Sequence, residues 1–216
     1  IIWAERQTAG RGQRGHTWQS NEGENLTFTA LLEPTFLPPS EQFSLLQVVA
    51  LAMADMLSEY GIEAKIKWTN DIYVGDSKLV GILMEHKLQG AVIGRTIAGI
   101  GLNVNQTEFD PELPNPTSMR LIAGREFDRK EVLERIALHL KNRYEMLRRG
   151  EIKQLHLDYH QRLYRLGEEH TYALPDGTRF RGVIEGVEPQ GALKITTPQG
   201  EAYKFLFKEV EFVLKN

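Results

Sequence analysis

The sequence contains no cysteine among its 216 residues. This absence excludes disulfides, a thiolate nucleophile, cysteine-ligated zinc and iron–sulfur clusters, and it suits a reducing compartment. Long apolar runs are also missing. The longest, residues 45–57, is interrupted by Gln47 and Asp55 and falls short of the roughly 18–20 residues that span a bilayer. We therefore expect a cytoplasmic protein with no membrane partner.

A large excess of one charge is absent as well, since 26 basic and 29 acidic side chains give a net charge of −3. A protein that coats nucleic acid would carry a basic excess, so no DNA partner is expected. What is present is enough apolar material for a core: hydrophobic residues make up 41% of the chain and charged residues 25%. The composition is that of a folded globular protein.

Strand-like and helix-like segments follow one another up to about residue 165. Shorter strands then alternate with the turn signals Pro175-Asp176-Gly177, Pro189-Gln190-Gly191 and Pro198-Gln199-Gly200. This change predicts an α+β domain over residues 1–165, with a mixed β-sheet and flanking helices. A small SH3-like β-barrel is predicted over residues 166–216.

The segment Gly10-Arg11-Gly12-Gln13-Arg14-Gly15 matches the G-x-G-x-x-G pattern of dinucleotide-binding proteins. The residues after it are loop-like, so the helix N-terminus that would hold a pyrophosphate is missing and this interpretation is rejected. Glycines at alternate positions let a backbone approach a ligand closely, and Arg11 and Arg14 add cations. Trp18, just beyond, is a platform on which a base can stack.

Three further segments place polar side chains at the ends of strands or glycines within strands. Lys67-Trp68-Thr69-Asn70-Asp71 combines a cation, an amide and a carboxylate, a set that suits a nucleotide with Mg²⁺. Lys78 begins the apolar strand that contains Gly81 and Glu85. Gly99-Ile100-Gly101-Leu102-Asn103 places two glycines before an amide.

Gly-Arg-Gly-x-x-Gly-x-x-Trp, Lys-Trp-x-Asn-Asp, Lys-Leu-x-Gly-Ile-Leu-x-Glu and Gly-x-Gly-x-Asn occur here in this order. Together they resemble the biotin protein ligase family, and the likeness covers nearly the whole chain. It implies a class II synthetase-like ligase domain followed by the SH3-like module. It also implies the short form without an N-terminal DNA-binding domain. The family's Ser-Thr-Asn segment, which contacts biotin, would precede Ile1 and is expected to be missing from the chain.

The resemblance implies a ligase that joins biotin to ATP as biotinyl-5′-AMP and passes the biotinyl group to a lysine of a biotin carboxyl carrier domain. Both steps are attacks by groups that the substrates bring, so the protein supplies positioning and charge stabilisation. Mg²⁺ is the implied metal. A homodimer is left open.

The resemblance also assigns residues. The catalytic set is Lys78, Arg11 and Asp71, where Asp71 contacts Mg²⁺ or receives the proton of the incoming lysine. The biotin-binding set is Gln7, Gly10, Arg11, Gly12, Gln13, Lys78, Gly81, Gly99 and Gly101. The three glycines of the strands are expected to make room for the bicyclic ring and its valeryl chain. The adenylate-binding set is Arg14, Trp18, Lys67, Asn70 and Asn103, with Trp18 beside the adenine.

Several alternatives were weighed. A lipoate or octanoyl ligase shares the fold, but its Arg-Arg-x-x-Gly-Gly-Gly loop does not occur here. A biotin-sensing regulator is a second alternative, and a biotinylated carrier would need a Met-Lys-Met hairpin that is absent. His156 and His160 have the i, i+4 spacing of zinc ligands, but Leu157 occupies the position of the glutamate in H-E-x-x-H, and the pair suits an exposed helix face.

Overall fold

A computed structural model describes residues 1–12 and 17–214. Six strands form the first sheet: β1 Ile2–Ala4, β2 Leu26–Leu32, β3 Lys65–Lys67, β4 Asp71–Val74, β5 Ser77–Gln89 and β6 Val92–Leu102. Their order is β1-β2-β6-β5-β4-β3, and each neighbouring pair is antiparallel. The α+β fold is confirmed, whereas the expected mixed pairing is corrected. Within the first sheet's described part, parallel pairing occurs only as isolated bridges such as Ile66–Leu163.

The helices are α1 Gln42–Glu59, α2 Met119–Ala123, α3 Arg129–Arg148 and α4 Ile152–Gln161. Thirteen of the 18 residues of α1 are buried, because its apolar residues extend around the helix and α3 and α4 pack against it. The Asp128 carboxylate accepts hydrogen bonds from the backbone N–H groups of Lys130 and Glu131, and so caps the start of α3. A 3-10 turn over Pro39–Glu41 precedes α1.

Alternation along β2 and β6 gives the first sheet two different faces. Phe28, Ala98 and Ile100 are buried in the hydrophobic core on one face. Thr29 and Gly99, their neighbours along the strands, point to the other face, which is the floor of the main cavity. The period of two therefore separates the packing positions from the positions that can meet a ligand.

The second sheet contains β7 Glu169–Ala173, β8 Arg179–Val187, β9 Leu193–Thr196, β10 Ala202–Phe205 and β11 Glu211–Phe212, in the order β10-β9-β8-β7-β11. Its docking corner, which we define as residues 186–191, contacts the first sheet and its helices. The Trp68 indole donates a hydrogen bond of 2.9 Å to the Gly191 carbonyl. The Val187 N–H donates one of 2.8 Å to His160 Nε2. These contacts hold the second sheet over one end of the cavity.

Among the helices that the structure describes, none combines the length and the apolar character that a bilayer crossing requires.

Candidate functional site

A cavity of about 870 Å³ lies between the first sheet, the glycine-rich loop and the end of the second sheet. Residues from the predicted biotin, adenylate and catalytic sets converge on it. Eleven of them line the cavity: Gln7, Arg11, Gly12, Trp18, Lys67, Asn70, Asp71, Lys78, Gly81, Gly99 and Gly101. Four separate stretches of sequence are thus brought to one place.

Lys78 and Asp71 form an ion pair in the cavity, with 2.8 Å between Lys78 Nζ and Asp71 Oδ1. Asp71 begins β4 and Lys78 lies near the start of β5, so the antiparallel β4–β5 hairpin brings the two together. Lys78 is also held through its backbone, because its N–H donates to Asn115 and its carbonyl accepts from Thr117. Both side chains are partly exposed. The Lys78 ammonium group can therefore exchange Asp71 for the carboxylate or phosphate of a ligand.

The turn between β3 and β4 is fastened by its own side chains. Asn70 Nδ2 donates to the Ile82 carbonyl, and Asn70 Oδ1 accepts from Thr69 Oγ1 at 2.9 Å. Tyr159 on α4 donates to the Thr69 carbonyl at 2.9 Å. Asn70 therefore reaches the cavity, but its amide already has partners within the protein, and its evident effect is to hold β5 beside the turn.

Lys67 lies where the two sheets meet. Its Nζ is 5.1 Å from the ring centroids of both Tyr73 and Phe212, the latter on β11 of the second sheet. Burial lowers the pKa of Lys67, and Asp71 partly offsets this effect. Burial also raises the pKa of Tyr73 to about 12. Lys67 is thus a partly desolvated cation that faces the cavity and contacts Phe212 of the second sheet.

The indole of Trp18 lies over two of the predicted biotin-binding glycines. A Cβ atom built on Gly81 would lie 2.9 Å from Trp18 Cζ3, and one built on Gly101 would lie 2.5 Å from Nε1. In this structure the group that needs these bare backbones is the indole. Gly99 differs, since a Cβ there would make only ordinary contacts of 3.8 Å or more.

Two other predicted residues are placed outside the cavity lining. Gly10 does not line the cavity; its carbonyl accepts from the Trp18 N–H at 3.1 Å, and a side chain there would overlap the Trp18 carbonyl oxygen. Asn103 is buried outside the lining and donates to the Thr117 carbonyl at 2.9 Å. Gln13 and Arg14 lie outside the described residues.

Sequence reasoning missed the roof of the cavity, which consists of Phe207, Lys208, Val210, Glu211 and Phe212. The one signal was the turn after β10, where two exposed apolar residues, Leu206 and Phe207, stand where a polar turn is usual. Lys208 has a left-handed backbone with a φ of 73°. Among the described lining residues, the cations Arg11, Lys67, Lys78 and Lys208 outnumber the carboxylates Asp71 and Glu211, so the cavity favours an anion.

The two histidines of α4 have structural partners. His160 Nδ1 lies 2.8 Å from the His156 carbonyl, and His160 Nε2 accepts from Val187, which requires the neutral ring. His156 Nδ1 lies 2.9 Å from the Gln47 amide. Groups of three or more potential metal-ligating side chains are absent from the described part of the chain. His160 thus contacts the docking corner and His156 contacts α1, whereas the sequence suggested an exposed helix face.

Comparisons with known proteins bear on this site. The model of the Biotin/lipoate A/B protein ligase family matches residues 1–104. The biotin–[acetyl-CoA-carboxylase] ligase of Paracoccus denitrificans is 30% identical over 207 residues, which cover 92% of this chain and 85% of the relative. The chain belongs to the biotin protein ligase family.

For two further members of the family, the share of the relative that this chain covers differs. The bifunctional ligase/repressor BirA of Bacillus subtilis is 32% identical over 93% of this chain, but the chain covers only 62% of that relative. A solved structure of the biotin protein ligase from Aquifex aeolicus, in complex with biotin and ATP, superposes with a TM-score of 0.81. It is 30% identical, and the match covers 98% of this chain and 88% of that one.

Proposed function

We propose that the protein activates biotin with ATP as biotinyl-5′-AMP and then transfers the biotinyl group to a lysine of a biotin carboxyl carrier domain. The observation that carries this proposal is the cavity of about 870 Å³, whose lining brings Arg11, Lys67 and Lys78 together. The Aquifex relative, with the same fold, was solved with biotin and ATP bound.

In the first step, the biotin carboxylate attacks the α-phosphorus of ATP, and pyrophosphate leaves. Negative charge accumulates on the α-phosphate oxygens in the transition state, so a fixed cation beside them lowers the barrier. Lys78 is proposed for this role because Asp71, 2.8 Å away, holds its ammonium group within the cavity. Arg11 and Lys67 add positive charge to the cavity lining.

In the second step, the carrier lysine amine attacks the acyl carbon, and AMP leaves. The amine must lose a proton, and Asp71 is a carboxylate that lines the cavity and can accept it. Mg²⁺ usually binds through one or two carboxylates and substrate phosphates, and Asp71 is the candidate carboxylate here. When bound, Mg²⁺ would supply additional neutralisation of phosphate charge.

Residues 1–165 and 166–216 are proposed as two domains that share this cavity. The six strands of the first sheet and the helices end by Gln161, and the second sheet begins at Glu169. The proposed division therefore falls between the last helix and the second sheet, while Phe207 and Phe212 complete the site from the second domain.

The proposal is tested by ATP-dependent attachment of biotin to a purified carrier domain, followed by mass spectrometry. Parallel reactions contain lipoate or octanoate with a lipoyl domain, because the matching family model includes both chemistries. Biotin-dependent exchange of pyrophosphate into ATP, measured without a carrier, isolates the first step. Attachment of lipoate alone would replace the proposed substrate, and the absence of all three activities would overturn the proposal.

A further inference from the structure

Two adjacent glycines, Gly81 and Gly101, form a trough at the centre of the first sheet. Thr27 pairs with Gly101, Gly101 with Gly81, and Gly81 with Asp71, so these residues form one row across β2, β6, β5 and β4. Side chains directly opposite each other on neighbouring strands normally lie about 5 Å apart. Two adjacent glycines in such a row leave a slot wide enough for an aromatic ring.

The slot is occupied by a side chain of the protein itself. Cβ atoms on Gly81 and Gly101 would meet Trp18 ring atoms at 2.9 Å and 2.5 Å. For Gly101 the three nearest atoms all belong to the indole. Real Cβ atoms do not approach that closely, so a single methyl group on Gly101 would displace the ring.

The seated tryptophan is connected to the glycine-rich loop. The Trp18 N–H donates to the Gly10 carbonyl at 3.1 Å, and Arg11 and Thr17 form an antiparallel bridge. Arg11 and Gly12 line the cavity. The position of the indole in the trough therefore determines where these two residues lie above the sheet.

We propose that Gly81 and Gly101 are positioning residues that act through Trp18. Their bare backbones form a receptor for the indole, and the seated indole holds Arg11 and Gly12 over the ligand. The inference rests on the proposed function only for the identity of that ligand. It differs from the sequence-based expectation, in which the same glycines make room for biotin directly.

The seat is tested first in the unliganded protein by ¹⁹F NMR with 5-fluorotryptophan. The chain has three tryptophans, so three resonances are expected, and Trp18→Phe assigns one of them. Gly101→Ala should shift the Trp18 resonance and leave the other two in place. Gly99→Ala is the matched control on the same strand and face, and it should leave all three unchanged. A Trp18 resonance unmoved by Gly101→Ala would overturn the proposal.

A double-mutant cycle separates the two explanations of the glycines. Gly101→Ala should lower the melting temperature in the wild-type background but not in a Trp18→Ala background, where the ring is gone. An equal fall in melting temperature in both backgrounds would show that the Trp18 ring is not what Gly101 accommodates, and would overturn the proposal. Gly81→Ala, with its milder 2.9 Å approach, replaces Gly101→Ala if that variant does not fold.

The positioning role is tested by biotin binding to folded Gly101→Ala, measured by calorimetry well below its melting temperature. If the displaced indole moves Arg11 and Gly12 away from the ligand, we expect biotin to bind about tenfold more weakly or worse, the scale of a typical overpacking cost. Unchanged biotin affinity together with a shifted Trp18 resonance would overturn the positioning role. The NMR and melting experiments need no substrate, so their outcome stands even if the protein attaches no biotin and the proposed function fails.

Discussion

The floor and the roof of the cavity are built in different ways. The floor is the outer face of β5 and β6, where Gly81, Gly99 and Gly101 keep the backbone bare and Lys78 supplies charge. The roof belongs to the second sheet and is held at a distance by its docking corner, through Trp68, His160 and Phe43. A change in the floor should therefore act on chemistry, and a change at the corner on stability and closure.

The largest expected effect is on the floor. Lys78→Ala removes the cation proposed to stabilise the transition-state charge, and we expect the rate of biotinyl-5′-AMP formation to fall by about 100- to 1,000-fold. The rate is measured by pyrophosphate release. The melting temperature should change little, because Lys78 is partly exposed.

Lys87→Ala is the matched control for Lys78→Ala, since Lys87 is an exposed lysine on the same strand outside the cavity lining. It should leave the rate unchanged. Near-normal activity in Lys78→Ala would contradict the assigned role and would remove the contrast between floor and roof.

The next largest effect is a loss of stability expected from a substitution in the docking corner. Gly191 has a φ of 98°, and a Cβ there would lie 2.8 Å from Phe43 on α1. Gly191→Ala combines backbone strain with this clash, so we expect a loss of about 2–4 kcal/mol in the free energy of unfolding. Denaturant titration measures it.

Gly200→Ala separates the two contributions to that loss. Gly200 has a similar φ of 85°, but its Cβ would meet nothing within 4 Å. Strain alone should cost about 1–2 kcal/mol there. Equal losses in the two variants would mean that contact with Phe43 does not stabilise the corner.

A smaller effect is expected from Trp68→Phe. The substitution removes the hydrogen bond from the indole to the Gly191 carbonyl and should cost about 1–2 kcal/mol of unfolding free energy. Because Trp68 also contacts Phe207 of the roof, the KM for ATP should rise more than kcat falls. Trp3→Phe is the control, since Trp3 Nε1 has no hydrogen-bond partner among the described residues. If Trp3→Phe raised the KM for ATP as much, the corner would have no special link to closure.

The smallest expected effect is on the pH dependence of the free energy of unfolding. Burial, and then the neighbouring His160, lower the pKa of His156 below its usual 6.5. The unfolded chain thus binds the proton more readily, so this contribution to stability is present above pH 6.5 and is lost as the pH falls through the lowered pKa. His156→Gln should flatten the dependence of unfolding free energy on pH in this window.

His86, on β5 away from the corner, also has a pKa lowered by burial. His86→Gln should flatten the same curve without changing the pH dependence of the KM for ATP, whereas His156→Gln should change both. An unaltered stability curve in His156→Gln would contradict the assignment.

How far the sequence could predict the site depends on whether a residue acts within its own strand or across the fold. The positions of Gly99 and Gly101 on the cavity face follow from motif order and the two-residue period of strands. Lys78 is three residues before Gly81 on β5, and it reaches the same cavity where the β4–β5 register shifts. Asn103 continues the same motif pattern, yet it is buried and its Nδ2 donates to the Thr117 carbonyl, a partner distant in sequence. The histidines of α4 have metal-like spacing, but Val187 and Gln47 are their partners.

The sequence by itself determined the alternation of strands and helices, the capped start of α3 and most of the polar and glycine positions that line the cavity. These features depend on local propensity, side-chain period and short-range hydrogen bonds, which are encoded within a few residues. Only the tertiary structure decided that Trp18 fills the trough of Gly81 and Gly101, and that Phe212 covers Lys67. Such contacts join residues far apart in the chain, and which of them form depends on how whole sheets pack together.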